Sequence, residues 1–264
     1  MDELDAMKER SKAVWAMGDY PEVARRFEGV AEALVAGCAI GPGMAVLDVA
    51  AGNGNVAVAA ARAGASVTAA DFTPELVAAG EARTAGMDVR WDVADAEDLP
   101  YDDDAFDVVL SVFGIIFAPR PEVAIAEAFR VVRPGGLVGI CAWTPSGYNG
   151  RFTAAMASLL PASTGPSPDA WGDEATARAR LAPHAEEIAV LRGVVPWEFA
   201  SVGDARDWQE RNFGAMQAVR AQVGEERYAE VRRRLDDLAG EYNVADDGSL
   251  RIEAEYLQVV AVAS

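Results

Sequence analysis

The chain has 264 residues, with 42 acidic side chains against 23 lysines and arginines and a formal charge of −19. That length supports one large domain with a sizeable core. The negative field repels nucleic acid and anionic membrane surfaces, which argues against both as partners; it also serves simple solubility. Cys38 and Cys141 sit in apolar stretches and read as small core residues rather than a disulfide framework. The charged N-terminus carries no apolar signal core, and no run of about 18 apolar residues occurs, so a cytoplasmic protein without a membrane span is expected.

In chain order, helices are expected over 3–17 and 20–37, with Asp19 capping the second and Pro21 in its first turn. Gly41-Pro42-Gly43 breaks the chain. Residues 45–49 are apolar apart from Asp48, as in a buried parallel strand. Helix 54–63, strand 66–70, a helix opening on Thr73 as N-cap and Pro74, and strand 88–93 follow. The polar loop 95–100 and an acidic turn at 101–104 lead to strand 106–110, helix 121–132, a turn at Arg133-Pro134-Gly135-Gly136 and strand 137–143. Residues 144–172 are rich in Pro, Gly, Ser and Thr, with a short helix near 151–160. Helix 173–182, strand 187–200, helices near 204–213, 215–222 and 225–240, and strand 251–263 complete the chain.

Five strands alternating with helices predict a doubly wound α/β fold, in which ligands bind outside the carboxyl ends of the strands. The candidate polar groups after strands one to four all fall at that edge. Gly52 and Gly54 allow close backbone approach to a ligand, and the following helix N-terminus suits an anion. Asp48 is a carboxylate in an apolar strand, which needs a partner; it either orients the loop and a ligand ammonium or caps a neighbouring turn. Asp71 ends the second strand with two acceptor oxygens suited to two ribose hydroxyls. Gly52 to Ala57, with Asp71 about 20 residues on, also fits a dinucleotide fingerprint, the mark of a nicotinamide-dependent oxidoreductase. Against that stand the acid inside the first strand, the acidic loop at 95–98 and the lack of a dehydrogenase catalytic set after residue 150.

Val46-Leu-Asp-Val-Ala-Ala-Gly-Asn-Gly-Asn55 resembles the first motif of the class I S-adenosylmethionine-dependent methyltransferases. Asp71-Phe72-Thr73, Asp95-Ala-Glu-Asp-Leu-Pro100, Phe106-Asp-Val-Val-Leu-Ser111 and Val131-Val-Arg-Pro-Gly-Gly136 are similar to later motifs, the third in the ubiquinone/menaquinone-methyltransferase-like branch. Trp15 to Tyr20 and Trp171 to Glu174 resemble a bacterial small-molecule subset, tied to secondary metabolism. The resemblance implies a Rossmann-like seven-stranded sheet, mostly parallel with an antiparallel last strand. Residues 1–40 would form an N-terminal helical cap, and 41–264 the methyltransferase domain with lid insertions at about 144–185 and 201–250. The implied cofactor is S-adenosylmethionine, with S-adenosylhomocysteine as product, bound by Trp15, Tyr20, Asp48, Ala50, Gly52, Asn53, Gly54, Asn55, Asp71, Phe72, Asp95, Ala96, Glu97, Ser111 and Val112.

Phe113, Ile116 and Phe117 after strand four, Trp143 and Tyr148 after strand five, and Trp171 are expected to wall an apolar substrate pocket for an aromatic or polyketide-like molecule. The expected reaction is in-line methyl transfer, which tolerates the lack of a catalytic signature because the cofactor carries the reactivity; a non-catalytic binding module is the other use of the same motifs. The lone histidine, His184, reads as a loop residue rather than a base, and one histidine without spaced carboxylates argues against a metal. A homodimer is compatible with the sequence.

Overall fold

The computed structural model describes residues 3–160 and 167–264, so residues 1–2 of the expected cap and 161–166 of the expected lid lie outside the described residues. Three helices open the chain: α1 (Glu3–Trp15), α2 (Tyr20–Ala24) and α3 (Glu28–Gly37). The second expected helix is thus two, separated by a 3-10 turn at Arg25–Phe27. Asp19 caps α2 by accepting the Glu22 N–H, as its position predicts.

The sheet comprises β1 (Ala45–Val49), β2 (Ser66–Asp71), β3 (Val89–Val93), β4 (Phe106–Val112), β5 (Val132–Trp143), β6 (Ala185–Phe199) and β7 (Leu250–Ala263), in the order β3-β2-β1-β4-β5-β7-β6. β7 runs antiparallel to both its neighbours, and the other pairings are parallel. Val46, Leu47 and Val49 are fully buried because β1 sits mid-sheet, covered on both faces. Four helices serve the crossovers: α4 (Asn55–Arg62), α5 (Pro74–Arg83), α6 (Pro121–Val131) and α8 (Glu174–Leu181). Right-handed crossovers place α4 and α5 on one face and α6 on the other. The order in which strands are added reverses between β1 and β4, which run parallel, and this opens a crevice at their carboxyl ends.

Two local expectations need correction. Thr73 stands at the N-terminus of α5, but its hydroxyl makes no capping bond; its N–H is taken up by Asp71 Oδ1 at 2.8 Å. The run Arg133 to Gly136 is not a simple turn. β5 already pairs at Val132 with Phe106, then shifts register to pair Leu137 with Val108, and Arg133 holds the irregular stretch to Asp107 at 2.7 Å.

The remaining helices, α7 (Tyr148–Ala157), α9 (Val202–Asn212), α10 (Gly214–Val223) and α11 (Glu225–Glu241), pack over the carboxyl edge. Met156, Met216, Val219, Tyr228, Val231 and Leu235 give this roof a small core apart from the main one. The link between α1 and α2 is stitched to it: the Asp19 N–H donates to the Asn212 carbonyl at 3.1 Å, and Gly18 bridges to Phe213.

Candidate active site

The loop after β1 turns through left-handed backbone at Ala50 (φ 52°), Gly52 (φ 57°) and Gly54 (φ 85°). The Tyr20 ring lies so close that a Cβ on Gly52 would stand 2.6 Å from it, so both the turn and the cover require glycine there. Ala50 and Phe113 (φ 56°) adopt this conformation without being glycine, and both line the cleft. Such strain costs about 1–3 kcal/mol and gathers at functional sites.

Two buried carboxylates underlie the loop. Asp48 Oδ2 accepts the Ala57 N–H at 3.0 Å and so satisfies an open donor in the first turn of α4. Burial pushes its carboxyl up to about 8, against the pull of that N–H, and Asp71 adds to the rise. Asp71 Oδ2 accepts from Gly52 N at 2.8 Å, and its Oδ1 from Thr73 N. Burial also raises Asp71, while these two N–H groups hold it down. Burial and then the Asp71 and Asp48 charges push the Tyr20 hydroxyl well above its ordinary value, so it stays neutral.

At the outer end of the cleft, Lys8 of α1 reaches Asp95 and Glu97, each at 2.6 Å. Burial would lower the lysine, but the bonds and charges of Asp95 and then Glu97 win and raise it. The Glu97 side chain is fully buried and also binds Arg120 at 2.8 Å. The loop is therefore fastened to α1 on one side and to the start of α6 on the other.

The cleft is lined by Trp15, Tyr20, Ala50, Gly52, Asp71, Phe72, Asp95, Ala96, Phe113 and Phe117, among others. Beyond it lies a second space of about 460 Å³ under the helical roof. Trp15, Tyr20, Phe113, Phe117 and Ser11 line both and form a collar between them. Trp15 meets Phe117 edge-on at 4.9 Å and Tyr20 at 5.7 Å. Phe113 stacks on Trp143 at 3.8 Å, with Phe27 edge-on to both.

Residues 47–140 match a family described as "Methyltransferase domain". An uncharacterised protein of Mycobacterium tuberculosis is 37% identical over 258 residues, covering 95% of this chain and 93% of the relative. A demethylmenaquinone methyltransferase of Clavibacter sepedonicus is 41% identical over 126 residues, 45% of this chain and 51% of that protein. Among solved structures, the YcgJ protein of Bacillus subtilis shares the fold with a TM-score of 0.60 and 16% identity, over 89% of this chain and 98% of that one.

The chain belongs to the class I S-adenosylmethionine-dependent methyltransferases. In this methyltransferase several residues singled out from sequence line neither space. Asn53 is buried within the loop. Asn55 donates to the Ala24 carbonyl at 2.7 Å and accepts from Arg83 at 2.7 Å. Ser111 ties the Val49 carbonyl to the Ile115 N–H. Asp48, Gly54, Glu97, Val112 and Ile116 also stand outside the lining, as supports of it. Trp143 and Tyr148 line the larger space, whereas Trp171 is buried beside it. His184 stacks on Phe129 at 5.3 Å where β6 begins. β6 starts opposite Ala263, at the end of the sheet away from the crevice. Among the described residues, no group of three His, Cys, Asp or Glu side chains could hold a metal ion.

Lys8, Arg83 and Asp169 escaped the sequence reading. Lys8 and Arg83 act through partners dozens of residues away, and no local spacing marks them. Asp169 follows a proline at a helical start, a pattern that reads as ordinary turn chemistry.

Proposed function

We propose that the methyltransferase holds S-adenosylmethionine in the glycine-loop cleft and passes its methyl group to a small, ring-bearing acceptor in the aromatic cavity. The collar carries this reading. Because Ser11, Trp15, Tyr20, Phe113 and Phe117 line both spaces, a sulfonium in one faces a nucleophile in the other across one layer of side chains.

The residues present suit such a cofactor. Asp48 and Asp71 are buried carboxylates raised by burial, and a bound ammonium or sulfonium would lower that cost. Each Asp71 oxygen accepts one N–H and keeps a lone pair for a ribose hydroxyl. Phe72, Asp95 and Ala96 offer a ring face, an acceptor and a backbone donor to an adenine. When bound, the cofactor supplies an electrophilic methyl group on cationic sulfur. The chain's own work is to align the acceptor, exclude water and present ring faces that favour the cation. A cavity of about 460 Å³ with ten aromatic side chains among its mainly apolar lining suits a small ring-bearing acceptor.

Thermal denaturation tests the cofactor reading directly. The midpoint should rise with S-adenosylmethionine and with S-adenosylhomocysteine, and stay put with NAD+ or NADP+. A rise with the dinucleotides alone would sink it. Release of S-adenosylhomocysteine against a panel of neutral aromatic compounds tests the acceptor class.

A further inference from the structure

Among the described residues that line the larger cavity, Asp169 is the one carboxylate. The one basic residue there, Arg10, is exposed and stands at the rim, whereas Asp169 is 9% exposed. Resting on the acceptor-cavity reading above, we propose that Asp169 receives the acceptor's proton and thereby selects an aromatic acceptor carrying a hydroxyl group.

The turn bearing Asp169 is built to hold it still. Residues Pro168–Gly172 form a 3-10 turn. Trp171 is 2% exposed, with the Arg180 guanidinium 4.6 Å from its ring. Gly172 lies against the end of β5, where an added Cβ would come within 1.8 Å of the Trp143 carbonyl oxygen. Asp173 then caps α8 by accepting the Thr176 N–H at 2.9 Å. Three of these residues therefore have anchoring jobs, and Asp169 has the cavity. The same turn packs on Ile115–Phe117, and Phe117 and Asp169 both line the cavity. Burial pushes its carboxyl up to about 6, moderated by the Ser167 hydroxyl. It is thus ionised at neutral pH and more basic than a surface aspartate.

A donor stands in the same cavity. Gln209 donates to the Tyr148 hydroxyl oxygen at 3.2 Å, which leaves the tyrosine's own hydrogen free to donate. Burial raises that hydroxyl and keeps it protonated. Ser11, Asn149, Thr153 and Asn212 add neutral polar groups to the wall, but Asp169 is its one anionic acceptor. A carboxylate together with a tyrosine donor in a mainly apolar space matches a phenolic or enolic ring system better than an apolar hydrocarbon. In the transfer, the acceptor O–H bond breaks and its proton goes to an Asp169 oxygen. The acceptor oxygen bonds the methyl carbon from the sulfonium donor, and the C–S electron pair stays on sulfur, giving the neutral thioether, the methyl ether and a protonated Asp169.

The test pairs two probes with one substitution. Binding of 2-naphthol and of naphthalene to the full chain is read by quenching of tryptophan emission, since Trp15, Trp143 and Trp197 line the cavity. The wild type should bind 2-naphthol about tenfold more tightly than naphthalene. Asp169→Asn, which removes a buried charge and keeps the shape, should erase most of that ratio and leave naphthalene unchanged. A ratio that survives the substitution, or a wild type with no hydroxyl preference, overturns the role of Asp169 while leaving the cavity reading intact. Failure of both probes to bind overturns the cavity reading itself. Tyr148→Phe is expected to reduce the ratio by a smaller factor; if it alone abolishes the ratio, the tyrosine rather than Asp169 is the selector and the proposal falls.

Discussion

Asp71 sits where three demands meet. It fastens the glycine loop through Gly52, turns the chain into α5 through Thr73, and faces the cleft. Asp71→Asn sets an amide NH2 against one of those N–H donors. We expect a loss of about 1–3 kcal/mol in stability and at least a roughly tenfold weaker Kd for S-adenosylhomocysteine by calorimetry. Asp48 makes a different prediction. Its folded carboxyl is raised to about 8, above its ordinary value of 3.8. Between those values the folded state binds more protons than the unfolded one, so this group's contribution falls as pH rises from about 4 to about 8. Asp48→Asn should therefore gain stability relative to wild type on going from pH 5 to pH 8, measured as the difference in urea midpoint. The same variant should bind S-adenosylhomocysteine less well, because the amide lacks the charge that answers an ammonium. Both acids were legible in the sequence, since an acid inside or ending an apolar strand is conspicuous. Lys8 was not, because a lysine on a charged helix looks like solvated surface until the fold brings Asp95, 87 residues away, against it.

At the scale of elements, α1 is the piece most dependent on a few contacts. Lys8 joins it to the 95–97 loop, and Trp15 wedges it against Phe117 and Tyr20. Lys8→Met leaves the buried Glu97 with Arg120 as its remaining ion-pair partner. Amide hydrogen exchange in α1 should rise by about tenfold or more in that variant, with the sheet strands unchanged; equal exchange in the two proteins would show that the aromatic wedge and the link to the roof hold the helix without Lys8. The helices and strands were readable to within a few residues from apolar periodicity. The exceptions have physical reasons: a 3-10 turn at Arg25–Phe27 and a register shift in β5 are set by packing and by the Arg133–Asp107 pair, which periodicity does not record. Likewise α9 to α11 read clearly as helices, yet nothing in their pattern says that their apolar sides close over a cavity.

For the whole molecule, the charge of −19 acts on what can enter. Neutral acceptors should be used in preference to anionic ones of the same shape. For a carboxylated acceptor, kcat/KM should rise as ionic strength is raised from about 0.01 to 0.15 M, because screening shortens from about 30 to 8 Å. A flat or falling salt profile would mean that local cations near the mouth, Arg10 among them, outweigh the overall field.

The place of β7 inside the sheet has a consequence for how the molecule is made. Among the described strands β6 pairs with β7 alone, and β7 lies between it and β5. During synthesis the strands from β1 to β5 can pair as they emerge, while β6 emerges with no strand to join. The helices α9 to α11 leave the ribosome before that partner does. The roof over the cavity thus forms on an unfinished floor, and only the arrival of β7 seals β6, and Trp197 with it, against the rest of the chain. A nascent chain halted before Leu250 should therefore show protease-resistant residues up to Trp143 and a cleavable remainder, which makes the last strand the assembly step that closes the roofed cavity.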